Sequence, residues 1–460
     1  MEIVPTSILA LLVILVLFAN SPHRGLWAFM VLTPFGAAAA FNLPAVGGAS
    51  VGVMDIGAIA IFSIMLLSRD GFSRIVGSLR IGRPGFYLTL LALFAIVSAL
   101  VFPRLFSGNT EVFAIARDEN QTRIMLVPLK ATTGNLTQLF RFTLNVLTFL
   151  AVATAFRLRP DPRYVLIAMI AATAVHVILG TVDVLSVLTG FSELLDPIRT
   201  ANYSILAGVR IGGLVRMVGG FPEASSFGYY SLGLFGFWLQ YWILTRNKSA
   251  LLMLALSFAV LVLSTSSASY VAALAFLITG GFITVLRGLE AHVSRRTMSL
   301  AITGALVALA ISVLLFASYQ LVDSISQYFD EILFDKVRSS SGVERSSWNA
   351  QAWQNYRDTW GLGAGLGSVR ASNWLLASLA SVGLIGTGLY LAFLVSVMRL
   401  STCSENFNRD ACISSLKSGC LAMLMSAMLT SATPDLGIFF FALAGLATGL
   451  SRGGEIESIA

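Results

Sequence analysis

Residues 164 to 182 read Tyr-Val-Leu-Ile-Ala-Met-Ile-Ala-Ala-Thr-Ala-Val-His-Val-Ile-Leu-Gly-Thr-Val, with no Asp, Glu, Lys or Arg among them. As a helix rising ~1.5 Å per residue, this stretch matches the ~30 Å hydrocarbon depth of a bilayer. Arg163 stands before it and Asp183 after it. Runs of the same kind recur at 3–19, 25–41, 53–68, 86–103, 138–156, 227–244, 249–264, 267–286, 300–318, 374–398, 412–430 and 434–450. The expected fold is therefore an all-α polytopic integral membrane protein of about 12–13 transmembrane helices, forming one helical domain over residues 1–460.

Composition agrees. Of 460 residues, 56% are hydrophobic and 12% charged, and the mean hydropathy is +0.82. Soluble domains carry roughly 25% charged residues, so a water-soluble globule is excluded. The net charge of +7 comes without a basic run interleaved with aromatics, which argues for membrane topology and against nucleic acid as a partner. The first span lacks a basic leader and a small-residue cleavage site, and reads as a retained helix.

Orientation follows from Lys and Arg in the short connectors. One face collects Arg24, Arg69, Arg74, Arg80, Arg83, Arg157, Arg159, Arg163, Arg246, Lys248, Arg287, Arg295, Arg296, Arg399, Arg409, Lys417 and Arg452. That is about 17 basic against about 7 acidic residues, where the other face has about 13 against about 16, so the first face is cytoplasmic by the positive-inside rule. Cys403, Cys412 and Cys420 fall in or beside the last cytoplasmic connector, where thiols stay reduced. The C-terminus is then cytoplasmic. The long connectors, 104–137, 183–226 and 319–373, all face outward, and long loops on a rigid scaffold are where chemistry is usually placed. No G-x-x-x-x-G-K-[ST] occurs, which argues against an ATP-driven pump.

Outward arginines run against the charge bias and ask for a reason. They are Arg141 at the start of a span, Arg199, Arg210 and Arg216 leading into another, and Arg338, Arg345, Arg357 and Arg370 in the third loop. A guanidinium is a permanent planar fork of donors suited to carboxylate or phosphate. The plain alternative is pairing with Asp330, Glu331, Asp335, Glu344 and Asp358 on a solvated face. Before the span at 227, Pro222-Glu223-Ala224-Ser225 makes a first helical turn whose free amides, beside Arg216, favour an anion. Glu223 is either a complement to that dipole or a general base for a substrate hydroxyl. In the third loop a helix beginning before Val343 aligns Arg345, Trp348 or Asn349, and Ala352, joining charge to a flat apolar surface of the kind that meets a sugar ring. The glycines of 361–367 lack a Lys-Ser/Thr pair and read as a tight re-entry into the membrane. His176 lies mid-span with Asp183 seven residues on, read either as a proton relay or as a neutral histidine bonded to a neighbouring helix. His23 and His292 sit at cytoplasmic turns, and neither a metal nor another cofactor is expected.

Taken together, Arg216-x-x-Gly219-Gly-Phe-Pro222, Ser264-Thr-Ser-Ser-Ala-Ser, Ser341-Gly-x-x-Arg345-x-x-Trp348, Gly361-x-Gly363-x-Gly365-x-Gly-Ser, Asn373-Trp-Leu and Gly383-Leu-Ile-Gly386 resemble the bacterial O-antigen polymerase and O-antigen ligase superfamily, which includes exopolysaccharide polymerases. The resemblance covers roughly residues 200 to 390. It implies a metal-independent glycosyltransferase of the inner membrane with its active site facing the periplasm. Undecaprenyl-diphosphate-linked glycans would serve as donor and acceptor, and chain-length regulator and export proteins as partners. It further implies that Arg216 and Arg345 bind the diphosphate; Arg210 beside them, and Arg141, Arg370, Trp348 and Asn373, are further candidates for the substrate site, and Glu223 is the candidate catalytic base in place of a family histidine. Ligase-like members show His-Asn-x-Tyr-Leu in the segment where this chain has Ser372-Asn373-Trp374-Leu375, and an acidic residue is frequent where Ser381 stands. Without the family's histidine, the chain leans from ligase towards polymerase. The remaining alternative is a transporter of lipid-linked oligosaccharide, whose support is His176 and Asp183.

Overall fold

The computed structural model describes residues 2–44, 48–118, 121–202, 204–211, 213–289, 340–402 and 406–452. The expected span at 300–318 lies outside them, as do His292, Arg295, Arg296, Asp330, Glu331, Asp335, Arg338 and Cys403.

Among the described residues the helices are α1 (Thr6–Ala19), α2 (Leu26–Leu32), α3 (Val53–Leu67), α4 (Gly71–Val76), α5 (Pro84–Leu100), α6 (Phe102–Leu105), α7 (Thr133–Leu158), α8 (Pro162–Thr189), α9 (Ala224–Thr245), α10 (Lys248–Leu263), α11 (Ser267–Leu289), α12 (Ser340–Asp358), α13 (Trp374–Met398), α14 (Phe407–Thr430) and α15 (Gly437–Arg452). Five helical stretches are long and apolar enough to cross a membrane: Pro84–Leu105, α7, α8, α13 and α14. Shorter apolar helices include α1, α3, α10 and α15. The protein is thus mostly helical and reads as membrane-embedded. Its interior is aromatic: Trp238 of α9, Trp374 and Tyr390 of α13 and Phe440 and Phe441 of α15 are almost wholly buried. α14 packs along α9, and α15 along α7.

Three small antiparallel sheets accompany the helices. β1 (Glu2–Ile3), β2 (Ala39–Leu43) and β3 (Ala49–Gly52) form one; β4 (Glu111–Asp118) and β5 (Gln121–Pro128) a hairpin; β6 (Arg210–Ile211) and β7 (Leu214–Val215) another. The run at 25–41, expected as one spanning helix, is instead split. α2 ends at Leu32, Pro34 lacks the amide that a further turn needs, and the chain resumes as β2. The gap is used: the Ala37 amide donates to the Gly220 carbonyl at 2.8 Å, bringing the segment before α9 against the break.

Helix α13 begins where the sequence places it, at Trp374, because Asn373 caps it by accepting from the amides of Leu375 and Leu376. At Gly383, with φ 64°, the helix is interrupted. The glycine run fills the interruption: the amides of Ala364 and Gly365 donate to the carbonyls of Ala380 and Ser381, and the Leu384 amide returns to Gly361. A Cβ at Gly363 would come within 2.6 Å of the Gly383 nitrogen, so only glycine allows this approach.

Candidate functional site

The segment ahead of α9 is held from below by two buried side chains. Asp183, in the last turns of α8, accepts from the amides of Val218 (2.8 Å) and Gly219 (3.0 Å) and from the Arg199 guanidinium. Arg199 also donates to the Gly219 carbonyl at 2.8 Å. Their side chains are only 3% and 1% exposed, so each charge depends on the other and on these backbone bonds. Gly219 takes φ 56°, and a Cβ there would meet Phe227 at 2.9 Å. A larger residue is therefore excluded between α8 and α9.

From this clamp the chain enters α9. Glu223 is its N-cap residue, in extended conformation, and its Oε1 accepts from the Ser225 hydroxyl. Arg216 stands at the other end of the clamped segment, partly buried, with its Nε lacking any hydrogen-bond partner. Burial lowers the Arg216 pKa; the Glu223 carboxylate opposes this, the Arg345 guanidinium adds to it, and Tyr270 opposes it. Glu223, Arg345 and Tyr270 therefore each lie within electrostatic range of Arg216. No described carboxylate forms an ion pair with Arg216 or Arg345.

A second helix start reaches the same place. The Met217 amide donates to the Leu263 carbonyl at the end of α10, so the turn 264–266 and the first residues of α11 lie beside Arg216. A Cβ at Gly228, in the first turns of α9, would come within 2.1 Å of the Ser269 Oγ. Ser264, Thr265, Ser266 and Ser269 are nearly or wholly buried, yet the hydroxyls of Thr265 and Ser269 have no partner. Thr265 also adopts φ 46°, uncommon for a β-branched residue. Three orphaned polar atoms thus surround the meeting of two helix N-termini, where an anion is favoured.

Arg345 arrives on α12, the helix expected from the Ser-Gly start before Val343. The far half of α12 is anchored: Asn355 Nδ2 donates to the Thr110 hydroxyl and the Glu111 carbonyl, and Gln351 also donates to Glu111. Asn349 accepts from the Ser372 amide at 2.7 Å. Arg370 lies over the Trp348 ring, 5.2 Å from its centroid, so these two expected site residues do meet. The Trp348 indole nitrogen is buried without a partner.

Other expected residues are placed differently. Asn373 is occupied as the α13 cap, its Nδ2 donating to the Met428 carbonyl. Arg210 is exposed on the β6–β7 hairpin. Arg141, in α7, lies within electrostatic range of Asp55 and Asp435. His176 bonds to the Ser231 hydroxyl of α9 at 2.7 Å and stacks on Phe227, while Asp183 is taken by Arg199. The histidine thus follows the helix-bonded alternative.

Sequence reasoning missed the Asp183–Arg199 clamp and the orphaned hydroxyls. The first had a signal in a carboxylate at the end of a span followed by an outward arginine, and the second in a Ser/Thr run closing an apolar helix. No protein-family model matches the chain, and no curated protein matches it.

Proposed function

We propose that this chain polymerises undecaprenyl-diphosphate-linked oligosaccharide repeat units into a surface polysaccharide, as a metal-independent, inverting glycosyltransferase. The observation that carries the reading is the convergence of Arg216, Arg345 and Glu223 at the start of α9, with the buried hydroxyls of Thr265 and Ser269 beside them. Two guanidiniums that pair with no described carboxylate, set at helix N-termini, are suited to a diphosphate. In this reading the bundle has 12–13 spans in a bacterial inner membrane, with this site at the periplasmic face.

The acceptor hydroxyl oxygen forms the new bond to the anomeric carbon as the bond from that carbon to the diphosphate oxygen breaks. The hydroxyl proton passes to Glu223, and lipid diphosphate leaves carrying the electron pair. Attack opposite the leaving group inverts the centre. Negative charge grows on the diphosphate as the bond breaks, so donors fixed in advance act most strongly there. Holding donor and acceptor together removes part of the entropic cost. A ligase would hand the glycan to a separate acceptor by the same step. The transporter reading rested on His176 and Asp183, and both have structural partners.

The test is to supply the purified protein with lipid-linked repeat units alone and separate the products by length. Longer glycans with release of lipid diphosphate support polymerisation. Transfer seen only after another acceptor is added turns the reading to ligase, and no transfer under either condition removes glycosyl transfer.

A further inference from the structure

At the opposite end of α8 and α9 from Arg216 lies a cleft of about 780 Å³. Its lining includes His23, Arg159, Arg163, Tyr241, Asn247 and Asn408. α8 begins at this cleft, capped by Asp161, whose carboxylate accepts from the Arg163 amide. The α10 cap Asn247 and the α14 cap Asn406 also line it, each accepting amide bonds from its own helix. Three helices of 28, 16 and 24 residues therefore direct their N-terminal ends to one cavity that also holds two arginines. Helix N-termini carry partial positive charge, so the cavity is electropositive despite Asp161.

His23 is nearly buried, with Nε2 3.5 Å from an Arg159 guanidinium nitrogen and 3.3 Å from the Ser21 hydroxyl. Burial first, then Arg159 and Arg24, lower its pKa, against the pull of Asp161.

We propose that this cleft binds a phosphate group, separately from the site at Arg216. The arginines supply forked donors, and the helix starts and Asn408 supply neutral polar groups around them. Two sources present that chemistry: the headgroup of an anionic phospholipid in the adjoining leaflet, and free inorganic phosphate. A basic pocket between helices at a membrane surface is suited to the first.

The test uses the full-length protein in detergent micelles, titrated separately with phosphatidylglycerol, phosphatidylcholine and sodium phosphate, with binding read by native mass spectrometry and by the shift in unfolding temperature. Arg159→Gln with Arg163→Gln is the informative variant, since both side chains are exposed and their loss leaves the packing intact. Arg246→Gln is the control, because Arg246 lies over Trp242 and is absent from the cleft lining. The expected result is binding weakened by about tenfold or more in the double variant, the scale of a charge-assisted hydrogen bond, and unchanged binding in the control. Such a loss for phosphatidylglycerol identifies the lipid source, and for sodium phosphate alone the soluble one. Equal binding of phosphatidylcholine, equal loss in Arg246→Gln, or no loss in the double variant overturns the proposal. None of these readouts involves glycan extension, so the outcome is independent of the function proposed above.

Discussion

Arg199 binds the carboxylate of Asp183 in an interior that leaves the two side chains 3% and 1% exposed. Because Asp183 also holds the amides of Val218 and Gly219, the pair joins the end of α8 to the segment that presents Arg216. Removing one member leaves a buried charge without compensation, which costs about 3–5 kcal/mol. Asp183→Asn is therefore expected to lower the unfolding temperature clearly in a thermal melt, and an unchanged melt would contradict the clamp.

If Arg216 and Arg345 stabilise a departing diphosphate together, neither suffices alone. Arg216→Ala and Arg345→Ala are each expected to reduce chain extension by about 10²-fold or more, the usual cost of losing a donor aimed at developing charge. Both variants should insert and purify like the parent. Wild-type product lengths from either one contradict the assignment.

Glu223→Gln keeps the size and position of the helix-cap side chain while removing its basicity. Turnover number should fall by about 10²–10⁴-fold with little change in the Michaelis constant. If a single-turnover assay gives the parental rate, Glu223 is not the base.

The unpartnered hydroxyls of Thr265 and Ser269 separate stability from function. An unsatisfied buried polar group costs about 1–3 kcal/mol, so Thr265→Val and Ser269→Ala should melt no lower than the parent. Extension should nonetheless slow in both. A lowered melting temperature with unaltered turnover would make these hydroxyls structural.

His23 gives a signed pH prediction. Its pKa is lowered from 6.5 in the folded chain, so the unfolded chain binds the proton more readily. The associated stability is present above about 6.5 and is lost as pH falls towards the depressed value. Melting curves between about pH 7.5 and about 5.5 should therefore fall less steeply for His23→Asn than for the parent. Parallel curves would show that His23 titrates alike in both states.

Much of the helical frame was legible because long uncharged runs admit few structures in lipid. The break after Leu32 was not, since residues 25–41 remain apolar through Pro34 and hydropathy alone does not register a lost amide donor. Arg216 and Glu223 were readable as a local pair at a helix start. Arg345, more than a hundred residues later, joined them through resemblance and not through spacing. Asp183 was misleading in one dimension: helical periodicity sets it near His176, whereas its partner Arg199 arrives only after the chain has left α8 and turned back.

Arg216 and Arg345 come from separately anchored parts of the chain, one from the clamp on α8 and the other from α12 on the β4–β5 hairpin. Their like charges oppose each other. An anion seated between them acts as a rivet, so ligand should protect even a chemically dead Glu223→Gln protein against heat. On the proposed function, occupancy and cohesion are thus coupled, and a bound diphosphate would be part of what holds this end of the bundle together.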